Sequence, residues 1–245
     1  MSWLTRTLPI EFRKVETGKI LLSILFAGLV IHLFSYASIP DDFDEYVKDN
    51  IRVYSTNNMA LWFGLLYPIT IILATWFIVS PEEDAESAMF YSSYRLKWAH
   101  VFLAKLSVLI YICLGIALIN YALNALFLTK INNFEYNDIL ENELIRTCHK
   151  YLQAFFSGVL LSSFSFLMFS IIRSAKGYLI TSLFLLILCI PIVMEKNIAV
   201  LPYSLQLYVQ INDVESWKVV TFSLLFSVGL IPLTTFLYLR RSRNL

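Results

Sequence analysis

Long apolar runs separated by short charged stretches organise this chain. A helix needs about 20 apolar residues to cross the hydrocarbon of a bilayer, where every backbone polar group must be bonded within the segment. Six runs approach that length, near Ile20 to Ala37, Met59 to Val79, Val101 to Phe127, Tyr151 to Ile172, Tyr178 to Val193 and Val219 to Leu239. The pattern predicts an all-α membrane protein with about six transmembrane helices. The fifth run is the shortest, and a re-entrant segment is the alternative there. The first run has a rival reading as a cleaved signal peptide, with Ser35 and Ala37 at the cleavage site. The charged stretch before it is too long for such a leader.

Composition changes the picture only by removing soluble alternatives. Hydrophobic residues make up 58% and charged residues 15% of the chain, too few charges to clothe a soluble core of this size. A net charge of +1 offers no basic face for nucleic acid. Lys and Arg nevertheless divide unevenly. Arg6, Arg13, Lys14, Lys19, Arg95, Lys97, Lys105, Arg173, Lys176, Arg240, Arg241 and Arg243 fall on one side of the predicted spans. Lys48, Arg52, Lys130, Arg146, Lys150, Lys196 and Lys218 fall on the other, giving twelve against seven. Cytoplasmic loops carry the excess, so the reading is a multi-pass plasma-membrane protein with both termini in the cytoplasm. Most acids, among them Asp41, Asp42, Asp44, Glu45, Asp49, Glu135, Asp138, Glu141 and Glu143, then lie outside.

Three segments outside the runs carry information. Within residues 1–19, Ile10 to Glu16 mixes apolar and charged positions after Pro9 and suits a helix in the membrane interface; a plain positive anchor is the alternative. In the 80–97 loop, Ser80, Pro81 and Glu83 fit a helix start with a capping box, and Glu82, Glu86 and Asp84 favour the positive end of its dipole. Met89, Phe90 and Tyr91 give that short cytoplasmic helix an apolar end before Arg95. Apolar anchors with flanking charges suit docking to a soluble partner, and a solvated connector is the alternative. The outer segment 194–218, apolar around Pro202, reads either as a re-entrant turn buried by protein or as a surface loop.

Within the runs, His32, Lys105, Asn120, Asn124, Ser162, Ser163, Ser165 and Ser170 are the notable polar residues. Lys105 lies near the inner end and is expected to snorkel, and the asparagines to bond neighbouring helices. Pro68 and Pro232, with Gly64 and Gly229 nearby, are expected to kink their helices. Cys113, Cys148 and Cys189 follow no disulfide or ligand spacing, although Cys148 adjoins His149. No catalytic, cofactor or metal site is assigned.

Glu11-Phe12-Arg13-Lys14 before the first run, the acidic loop ending in Arg95, and Lys105 together resemble the permease subunits of ATP-binding-cassette type-2 exporters. Ser87, Ala88 and Tyr94 stand where that family tends to have a Gly-Thr pair and a proline. The small size and Leu201-Pro202-Tyr203-Ser204 resemble the branch that exports, or gives immunity to, antimicrobial peptides. The resemblance implies a single permease domain over 1–245. It also implies a second permease copy, or a related permease, and a separate ATPase subunit that binds ATP and Mg; this chain has no Gly-x-x-x-x-Gly-Lys loop of its own. It further implies an amphipathic peptide, drug or lipid-like cargo. Glu82, Glu83, Glu86, Met89, Phe90, Tyr91 and Arg95 would face the ATPase. Rival classes are a membrane-embedded enzyme, a transporter without an ATPase, and a scaffold. For the enzyme, Glu82-Glu83 fits the Glu-Glu-x-x-x-Arg of intramembrane prenyl-protein proteases, but Ser87 replaces its arginine.

Overall fold

The computed structural model describes residues 8–11, 17–39, 47–83, 98–132, 137–172, 174–196, 199, 201–212 and 214–242. After a helical turn at 8–11 come α1 (Thr17–Ala37), α2 (Val47–Leu61), a π-helical segment (Trp62–Leu66) and α3 (Tyr67–Val79). These are followed by α4 (Trp98–Asn132), α5 (Asn137–Ile172), α6 (Ala175–Lys196), α7 (Pro202–Asn212) and α8 (Ser216–Ser242). No strand occurs among the described residues.

Among the described residues, five stretches are long and apolar enough to cross a membrane: Val53–Val79, Ala99–Ile131, Asp138–Ile172, Ala175–Lys196 and Ser216–Arg240. The apolar stretch described in α1, Leu22–Ala37, is shorter. The helices at the margin of the bundle are apolar on their outer faces. Ile180 of α6 is 69% exposed and Leu225 of α8 is 68% exposed. Such continuous apolar faces are a liability in water and ordinary in lipid.

α4 and α5 form an antiparallel hairpin, with Phe102 against Phe166 near one end and Tyr121 against Tyr151 towards the other. α5 is the axis of the bundle and packs on α3, α4, α6, α7 and α8, whereas α1 packs on α4 and α2. One end of the bundle gathers Glu11, Lys105, Phe102 and Tyr238. The other gathers Tyr36 and Phe127, with the Lys130 ammonium over the Tyr36 ring. Glu11 and Tyr36 therefore meet α4 at Lys105 and at Phe127, positions about 33 Å apart along that helix at 1.5 Å per residue.

Several expectations change in detail. Residues 137–150, expected in an outer loop, form the first turns of α5. Asp138 there suits the positive end of the helix dipole, and Leu140 packs with Ile51, Tyr54, Leu128 and Ile131 in a cluster of its own. Ser80 does not cap a new helix. Its backbone is αR and its amide bonds the Trp76 carbonyl, so it continues α3 into a 3₁₀ turn, Ser80–Glu83. The second apolar run widens just ahead of Pro68. The Tyr67 amide bonds the Trp62 carbonyl five residues back, so the helix carries one surplus residue where proline removes a donor.

Candidate functional site

The end of the bundle that holds Glu11 contains two buried charges. Glu11 and Lys105 are each almost fully inaccessible, and their side chains meet at 3.3 Å. The Lys105 ammonium also donates to the Ile78 carbonyl at 2.7 Å. That carbonyl lies in the last turn of α3, where helix carbonyls lack intrahelical partners and the dipole favours a cation. Lys105 thus turns inward rather than snorkelling. It joins the segment before α1, the end of α3 and the start of α4.

Of the other residues expected at this end, Glu82 and Glu83 lie in the 3₁₀ turn. Phe12, Arg13, Lys14, Glu86, Met89, Phe90, Tyr91 and Arg95 lie outside the described residues.

Halfway along the bundle, three helices meet at one backbone carbonyl. Ala154 of α5 accepts from the Tyr67 hydroxyl at 2.7 Å and from the Gln206 amide at 2.9 Å. Gly158, one turn further on, leaves the room this needs, because a Cβ there would overlap the Tyr67 hydroxyl. Tyr203 donates to Ser182 at 2.8 Å. α7 is therefore a short helix sealed into the bundle by α5 and α6, with Tyr203, Ser204, Leu205, Gln206 and Leu207 buried. Its 11 residues rise about 16 Å, too little to cross a membrane. Gly64 of the π segment lets α7 approach, since a Cβ there would stand 3.0 Å from Leu207 Cδ1.

Towards the Lys130 end, α1, α2 and α4 enclose a polar group. The Nδ1 of His32 lies 2.6 Å from the Tyr54 hydroxyl and also meets the Asn58 amide. The His32 ring stacks on Phe127 with centroids 5.6 Å apart. On α4, Asn120 returns its amide to the Ile116 carbonyl at 2.9 Å and turns its oxygen to Gly28 of α1. Gly28 permits that close approach, since a Cβ would stand 2.6 Å from the Asn120 oxygen. Asn124 is fully buried. The sequence singled out His32, and Asn120 with Asn124 on one helix face; Tyr54 and Asn58, one turn apart on α2, were the missed partners.

At the start of α8, Gln153 of α5 donates to the Val214 carbonyl at 3.0 Å and to Ser216 at 2.8 Å. Beside them Glu215 and Lys218 form an exposed ion pair at 3.1 Å. The hydrogen bond from Lys218 holds the Glu215 carboxyl below its ordinary range, aided by one from Trp217 and by the Lys218 charge. Cys148 is exposed, whereas Cys113 and Cys189 are buried. Among the described residues no group of three His, Cys, Asp or Glu gathers at metal-binding range.

These features define a helical membrane-type bundle with a buried ion pair at one end, a sealed short helix and an interior polar group. The chain matches no protein-family model, no curated protein and no solved structure in the comparisons made.

Proposed function

We propose that this chain is the membrane-crossing permease subunit of an exporter driven by a separate ATP-binding-cassette ATPase. In this reading six helices cross the membrane, α1 included, and both termini and the α3–α4 connection are cytoplasmic. The contacts of Glu11 with Lys105 and of Tyr36 with Phe127, about 33 Å apart along α4, support counting α1 among the crossings.

The observation that carries the reading is the Glu11–Lys105 pair. Removing two charges from water costs several kcal/mol for each, even after relaxation. The pair ties the segment before α1 to both helices that flank the 84–97 connection, through Ile78 on α3 and Lys105 on α4. A push on that connection by a motor is thereby passed to α1 as well as to α3 and α4. Coupling of ATP hydrolysis to helix movement needs such a rigid junction. The scarcity of charge elsewhere in the spans suits an amphipathic peptide, drug or lipid-like cargo better than a bare ion, which needs coordinating groups along its path.

The test is purification of the tagged chain from its native membranes, identification of any co-purifying ATP-binding-cassette ATPase, and assay of ATP hydrolysis in lipid nanodiscs. The expected result is a stable complex whose hydrolysis is stimulated by an amphipathic peptide. Replacing Phe90 and Tyr91 by Ala should weaken assembly by about 2 kcal/mol, roughly thirtyfold, if they are anchors. Recovery of the chain without any ATPase, or cargo movement by the chain alone in liposomes without ATP, overturns the reading.

A further inference from the structure

Two cavities adjoin on the side of the bundle where α7 meets α8. The deeper one, about 310 Å³, lies between Phe164 of α5, Pro202 of α7 and Leu230 of α8. The other, about 410 Å³, reaches Val214 and Lys218 at the start of α8. Ala199, Leu205 and Phe222 line both, so the two form one groove. Apart from Tyr208 and Lys218, every side chain lining it is apolar.

The groove has a direction and a length. Along α8 it runs from Lys218 to Leu230, about 18 Å at 1.5 Å per residue. Half the hydrocarbon thickness of a bilayer is about 15 Å, so the groove matches the depth of one leaflet. Its mouth carries opposite charges side by side. The Lys218 ammonium and the Glu215 carboxylate lie 3.1 Å apart with side chains 54% and 59% exposed, and Lys218 stands over the exposed Trp217 ring. Tryptophan at such a position is an anchor at the headgroup level.

We propose that this groove binds one phospholipid with a zwitterionic headgroup. An acyl chain lies along α8 from Phe222 to Leu230, the phosphate meets Lys218 and the headgroup ammonium meets Glu215. A lipid with net negative charge gains Lys218 but meets Glu215 as a like charge. A zwitterionic headgroup satisfies both. The inference requires that the bundle lie in a bilayer and is independent of the export reading.

The test is native mass spectrometry of the full chain in mild detergent, with phosphatidylethanolamine and phosphatidylglycerol added in competition. The expected result is retention of one phosphatidylethanolamine, about tenfold over phosphatidylglycerol, equivalent to about 1.4 kcal/mol. Glu215→Gln, a change at an exposed position that leaves the fold intact, should bring the two lipids to parity. Lys218→Glu should abolish retention of phosphatidylethanolamine. Ala199→Phe fills the wall shared by both cavities and should remove both lipids while the helical circular dichroism is kept. A photoactivatable acyl chain should cross-link to α7 and α8. Equal retention of the two lipids by the unaltered chain, a preference for phosphatidylglycerol, unchanged preference in Glu215→Gln, or cross-links confined to α1 or α6 each overturn the proposal.

Discussion

At the scale of single residues, the two glycines that differ most in surroundings make opposite predictions. A methyl group at Gly158 collides with the Tyr67 hydroxyl and displaces it from the Ala154 carbonyl, whereas Gly229 has open space around it. Gly158→Ala should therefore destabilise by about 1 to 3 kcal/mol through overpacking. Gly229→Ala should stabilise by up to about 1 kcal/mol through helix propensity. Thermal unfolding of both variants in one detergent reads the sign directly. The Glu11–Lys105 pair supplies a second contrast, since removing one partner leaves the other buried and uncompensated. Lys105→Met alone should lower stability by about 3 to 5 kcal/mol, and adding Glu11→Leu should restore most of it. The same unfolding assay, run as a double-mutant cycle, checks this. Glu215 gives the pH counterpart. Its carboxyl is held below its ordinary range, so whatever the exposed pair contributes is present above the ordinary carboxylate pKa and is lost only as pH falls through the lowered one. The lipid preference at the groove mouth should accordingly be the same at neutral and mildly acidic pH in the competition experiment.

At the scale of elements, what the sequence made legible follows from what lipid demands. A long apolar run has one outcome in hydrocarbon, so α4, α5, α6 and α8 were readable, with errors only at their ends. The first turns of α5 were missed because Asp138, Glu141 and Glu143 read as loop, while the side chains that hold them helical, such as Leu140, act against distant Tyr54. α2 was missed because Asn50, Asn57 and Asn58 break its apolar pattern. Lys105 was recognised as costly, but its partner is 94 positions earlier in the chain, and no local spacing announces such a pair. α7 was legible as an apolar segment around Pro202, buried by protein or lying on the surface; the sequence could not choose between them, because Gln206 and Tyr203 find their partners on α5 and α6. Gln206→Leu should leave α7 folded but loosened, at a cost of about 1 kcal/mol for the lost hydrogen bond. Faster amide exchange confined to Pro202–Asn212 is the expected signature; no change there would show that the bond to Ala154 does not hold this helix.

At the scale of the whole molecule, the native cysteines report the orientation without engineering. Cys148 is exposed near the Lys130 end, and Cys113 and Cys189 are buried. If that end faces outward, a membrane-impermeant maleimide added to intact cells labels the chain once, and Cys148→Ser removes the label. Labelling only after the membrane is opened reverses the topology. The π segment at Trp62–Leu66 bears on the whole bundle in a different way. Its surplus residue sets the angular phase between two halves of one continuous helix: α2, which carries Tyr54 and Asn58, and α3, which starts at the Ala154 junction and ends at Lys105. An α-helix advances about 100° per residue. Deleting one residue from the segment would swing one half past the other by roughly that angle and part His32 from Tyr54 and Asn58, with every helix still intact. Sliding the surplus residue along the helix would rotate only the turns it passes. The bulge is thus a dial set into the helix, indexed in steps of a single residue.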